Sequence, residues 1–74
     1  MEYVYVIVDR VRGILEGHVA VFAKLEDACF ALKKNWPPEQ GYKYNHDGTV
    51  ARYTDDNGNL IHKIEISEEK VRVL

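Results

Sequence analysis

At seventy-four residues the chain makes one domain, near the lower limit at which enough apolar surface is buried to fold without a covalent or metal staple. Its single cysteine, Cys29, excludes an intrachain disulfide, and no Cys/His set stands at zinc-ligand spacing. Ten Lys and Arg against twelve Asp and Glu leave a formal charge of -2, without the basic excess of a phosphate-backbone binder, and no window is apolar over a membrane-spanning length.

The opening MEYVYVIV alternates and is rich in Val, Ile and Tyr, which predicts a strand over 2–9. It sorts Val4, Val6 and Val8 to one face and Tyr3, Tyr5 and Ile7 to the other. No basic segment followed by an apolar run precedes it, so the expectation is a cytoplasmic setting with no membrane. DRVRGILEG (9–17) reads as a long hairpin connection, with Val11, Ile14 and Leu15 as candidate extensions of the flanking strands. HVAVFA (18–23) is a short second strand.

From Lys24 the period changes. Leu25, Ala28, Cys29 and Leu32 fall at i, i+3, i+4 and i+7, and Trp36 prolongs the stripe, predicting a helix of about three turns. Glu26 and Asp27 in the first turn and Lys33 and Lys34 in the last suit the helix dipole, and Pro37 and Pro38 stop it. No side-chain cap stands near Ala23.

PEQGYKYNHDG (38–48) reads as a loop or irregular edge. TVARYT (49–54) and NLIHKIEIS (59–67) flank DDNG, the strongest short-range hairpin signal in the chain. On the last strand Leu60, His62, Ile64 and Ile66 share a face opposite Ile61, Lys63 and Glu65. EEKVRVL (68–74) is a candidate fifth strand or a tail. The fold class is therefore α+β: an antiparallel sheet of four or five strands, order ββαββ(β), with one helix on one face. Val4, Val6 and Val8 are expected beneath that helix, which leaves the Tyr3, Tyr5, Ile7 face uncovered.

The chemical motifs are sparse. Setting Gly58 at the sixth position of a calcium loop puts Tyr53 first and Ile64 twelfth, where carboxylates are required, and the loop around Gly48 fails in the same way, so both read as plain turns. His18, His46 and His62 lie far apart in sequence, with no local metal spacing; His62 alone invites a pH-responsive reading. Cys29 sits in the apolar stripe, where a cysteine acts as a small hydrophobe. No nucleophile and base order and no phosphate-cradling loop emerges. The expectation is a non-enzymatic protein with no cofactor and no metal.

The aromatics remain. Tyr3, Tyr5 and Ile7 are the first candidates for a partner or self-association face, with Trp36 and Tyr53 behind them. Pairing two such faces would supply burial that a small domain lacks, so a homodimer is expected. Tyrosines on a sheet also stack bases, which makes nucleic-acid binding the alternative, and it predicts a basic patch formed only on folding. The charge balance disfavours it.

The order YVYVIVDR, a glycine-containing turn, then VAVFAKLEDACFALKK resembles a hairpin-to-helix pattern of small bacterial and phage accessory proteins. The resemblance covers the first half of the chain. It implies a phage or mobile-element factor that inhibits or regulates a host protein by surface contact, an anti-CRISPR-like role among them, and it transfers no catalytic residue.

Overall fold

The computed structural model describes residues 2–12 and 14–71, with the side chains of 15, 16, 18 and 19 left aside. The elements are β1 (Tyr3–Val11), β2 (Ile14–Phe22), α1 (Leu25–Asn35), a 3-10 turn (Pro38–Gln40), β3 (Lys43–Tyr44), β4 (Val50–Thr54) and β5 (Leu60–Lys70). The strands form one antiparallel sheet in the order β2-β1-β5-β4-β3. The α+β class with one helix on one face is as expected, and three details differ. DRVRGILEG is not a long connection: Val11 pairs with Ile14 across residues 12 and 13, and Arg12 takes the left-handed conformation (φ 53) that such a tight turn requires. The fifth strand is the short β3, at the sheet edge, inside the segment expected to be a loop or irregular edge. Glu68–Lys70 continue β5 instead of forming a strand of their own, Val71 lies beyond it, and 72–74 fall outside the described residues.

The face assignment is reversed. Ile7, and not the even valines, lies under the helix, 1% exposed, in a core with Leu32, Ala51 and Ile64, each fully buried. Phe22, Ala31, Trp36, Tyr42, Tyr44 and Ile66 close around it. The cause is register. Residues opposite one another in an antiparallel pair share a face, and β1 pairs with β5 so that Ile7 stands opposite Ile66 and Asp9 opposite Ile64. The apolar face of β5 thereby selects the odd face of β1, and a shift of one residue would invert it. On the other side β2 delivers Phe22 opposite Tyr5 and Ala20 opposite Ile7, so the chain enters α1 on this same face.

Along α1 the expected stripe is rotated. Ala28 and Leu32 are buried, Cys29 and Trp36 are half-buried, and Leu25 is largely exposed at the uncapped first turn. Helix acids and bases stand at the ends expected for the dipole. Tyr44 secures the other end: its hydroxyl shares its proton between the carbonyl of Leu32 at 3.0 Å, which also accepts the Trp36 N–H, and that of Trp36 beyond the last turn. Lys33 lies over the Tyr44 ring, 5.8 Å from its centroid.

Both tight loops are held by aspartate. The Asp55 carboxylate accepts from the backbone N–H groups of Asn57 (2.9 Å) and Asn59 (2.8 Å), and Asp47 accepts from the N–H (3.1 Å) and hydroxyl (2.6 Å) of Thr49. These bonds hold both carboxyls below the ordinary aspartate range, Asp47 chiefly through the Thr49 hydroxyl and Asp55 chiefly through the Asn59 N–H. A depressed folded value stabilises the turns above the unfolded pKa of about 3.9, and that contribution is lost as pH falls through the folded value.

Two outcomes follow. Ile7→Ala costs about 2–5 kcal/mol in urea unfolding, as expected for a large core residue, whereas Tyr3→Ser costs less than about 1 kcal/mol; equal losses would contradict the face assignment. Asp55→Ala flattens the acid limb of the stability-pH curve and leaves its slope near neutrality unchanged.

Candidate interaction surfaces

An 11-residue helix is about 16 Å long, and the molecule extends 46 Å along its principal axis. The helix-bearing face is therefore left open at both ends. At one end stand Tyr3 and Tyr5, opposite Lys70 and Glu68. The Tyr5 phenol is pushed up by partial burial and then by the Glu68 carboxylate. The expected partner residues thus divide: Ile7 is in the core and unavailable to a partner, while Tyr3 and Tyr5 keep an accessible position. The homodimer argument loses its premise, because that face carries the helix.

At the other end the sheet gathers Trp36, Tyr53 and residues that the sequence did not connect with them. Asp9 on β1 and His62 on β5 are diagonal neighbours on the same face, and the Asp9 carboxylate accepts from His62 Nε2. A carboxylate only accepts, so Nε2 carries a proton, and on the other side of the ring Nδ1 shares a hydrogen bond with the Tyr42 hydroxyl at 3.0 Å. The Trp36 ring meets His62 edge-on with centroids 6.4 Å apart. Tyr53, opposite His62 on β4, packs 5.5 Å from Tyr42. Gly41, at φ 99, lets the chain come this close: a Cβ there would lie 3.0 Å from the Tyr53 ring.

The chain Asp9–His62–Tyr42 has the outline of a nucleophile relay, yet its phenol points the wrong way. Burial first, then Asp9 and Tyr53, push the Tyr42 pKa up, which disfavours the phenolate that nucleophilic attack needs. What the geometry does supply is a polar tie joining β1, β5 and the segment before β3. Among the described residues no group of three or more His, Cys, Asp or Glu converges as a metal site. His46 is exposed, and the His18 side chain falls outside the description. The Cys29 thiol is pushed up, by burial first and by Asp47 second, which disfavours the thiolate.

The opposite face of the sheet carries no second layer among the described residues, since the one helix lies on the other side. Val4, Val6 and Val8 stand here with Val21, which is 62% exposed. Val6 and Val8 are only 8% and 6% exposed between their cross-strand neighbours, so little apolar area remains to be covered along β1. Next to this strip, register creates a feature invisible in the sequence. Lys43 pairs with Arg52, Arg52 with Lys63, and Lys63 with Arg10, so β3, β4, β5 and β1 each place a cation in one row across the open face. Like charges directly opposite one another destabilise a sheet. Glu65 relieves one end, binding Arg10 Nε at 3.1 Å and Lys63 Nζ at 3.4 Å. No carboxylate of a described residue pairs with Lys43 or Arg52, which line a concavity of about 230 Å³ together with Tyr44, Asn45 and Thr54.

A second concavity, of about 580 Å³, lies at the C-terminal end of α1, where Phe30 (70% exposed), Pro37 and Pro38 are rimmed by Lys33, Lys34 and Glu39. Compared with family models, with curated proteins and with solved structures, the chain matches none.

Tyr42→Phe removes the hydroxyl bonded to His62 Nδ1 and lowers stability by about 1–2 kcal/mol in urea unfolding; an unchanged midpoint would mean that the hydroxyl does not hold the ring in solution.

Proposed function

We propose that this chain is a small non-enzymatic protein-binding module that engages its partner through the open face of the sheet. The observation that carries the reading is the cross-strand row Arg10, Lys63, Arg52, Lys43 on the same open face as Val4 and Val21. An isolated sheet gains nothing from opposing like charges, whereas a partner interface gains orientation and association rate from them. The row answers the condition that nucleic-acid binding sets, a basic patch formed only on folding. Tyr3 and Tyr5 lie on the other face, however, so a single strand cannot stack on them while its phosphates reach the row. This separation favours a protein. With the resemblance to small bacterial and phage accessory proteins, the role that follows is inhibition or regulation of a host protein by contact, in the cytoplasm.

A photo-crosslinking residue at position 21, on the open face, tests the reading against the same residue at position 3, on the helix-bearing face. Expected is a discrete protein adduct from position 21 alone, abolished in the Lys63→Glu/Arg52→Glu background. Adducts from position 3 alone would move the interface to the tyrosines. Light scattering of wild type and Val21→Glu identifies a second copy on this face: a dimer split by the variant makes the partner the chain itself.

A further inference from the structure

We infer that Lys43 and Arg52 form a carboxylate-binding subsite for an acidic helix of the partner protein, an inference that rests on the open-face reading above. The row holds its own precedent. One strand pair away, the Glu65 carboxylate is bound between two of the four cations, one oxygen facing Arg10 and the other Lys63. Lys43 and Arg52 repeat the arrangement of two cations side by side on the same face, they are exposed, and no carboxylate of a described residue answers them. The concavity they line also offers the polar side chains of Asn45 and Thr54.

Spacing selects the carrier. Adjacent strands lie about 4.8 Å apart, so the row spans roughly 14 Å in steps of that size. Glutamates at i and i+4 on one helix face are separated by about 5–6 Å. A helix laid across the strands therefore brings successive carboxylates over successive cations. The even valines of β1 are already largely shielded, so the charged row, more than apolar area, distinguishes this partner from others.

The probe is a fluorescein-labelled helical peptide of alanine and leucine with glutamates at i, i+4 spacing, titrated with the protein and followed by anisotropy, beside an oligothymidylate of equal charge. Expected is binding of the peptide that weakens with salt and falls about tenfold in Lys43→Gln/Arg52→Gln, as for two exposed ion pairs, with Lys33→Gln/Lys34→Gln unchanged. The Lys43→Gln/Arg52→Gln variant also melts at or above the wild-type temperature, because it relieves repulsion within the row. Peptide binding indifferent to these two residues, or no binding at all, overturns the proposal; so does tighter binding of the oligothymidylate, which would assign the row to nucleic acid. A melting temperature well below wild type would show that the cations serve the fold and would overturn it too. If the peptide fails while position 21 still yields its protein adduct, the open-face reading stands and the acidic helix alone is rejected.

Discussion

The register of β1 against β5 is the constraint on which the rest of this structure depends. It runs unbroken from Tyr3 opposite Lys70 to Val11 opposite His62, whereas the β1–β2 ladder shifts twice, between Ile7 and Val8 and between Asp9 and Arg10. One alignment decides three things together. It seats Ile7 beside Ile66 beneath the helix, it brings Asp9 within reach of His62, and it sets Arg10 against Lys63 on the far side. Sliding either strand by one residue would bury the charges and expose the isoleucines, a change that no local rearrangement could offset.

The two faces divide the work. On the helix-bearing face the isoleucines, Leu32 and Ala51 supply the apolar burial, and polar groups there are tied in pairs: Tyr44 to the helix terminus, Asp9 to His62, His62 to Tyr42. Among the described residues, the row of cations on the open face is only half satisfied. Glu65 serves two cations and leaves two others to whatever the surface meets. A five-stranded sheet does not need this arrangement for stability, and the proposed binding role rests on that mismatch between local energetics and fold.

The elements of the fold were legible because they rest on short-range patterns. Alternation in β1, the i, i+3, i+4 spacing of α1, its double-proline stop and the DDNG turn each carry their own signal. Which face of β1 would be core was not legible, because both faces are apolar as far as Val8 and the decision comes from strands more than fifty residues away. β3 escaped because two residues show no periodicity. Trp36 and Tyr53 were recognisable as candidates from residue type alone; that they would meet around His62, Tyr42 and Asp9 was not. The basic row is the extreme case. Its members stand at 10, 43, 52 and 63, look scattered along the chain, and become neighbours only through three separate strand registers.

The register itself is open to direct measurement by methyl nuclear Overhauser effects on selectively labelled protein. The structure predicts strong cross-peaks from the methyls of Leu32 to those of Ile7 and Ile64, and none from Leu32 to Val6 or Val8. Cross-peaks from Leu32 to the valines, with Ile7 silent, would put the even face of β1 under the helix, take Arg10 out of the row of cations on the open face, and contradict the account at its foundation.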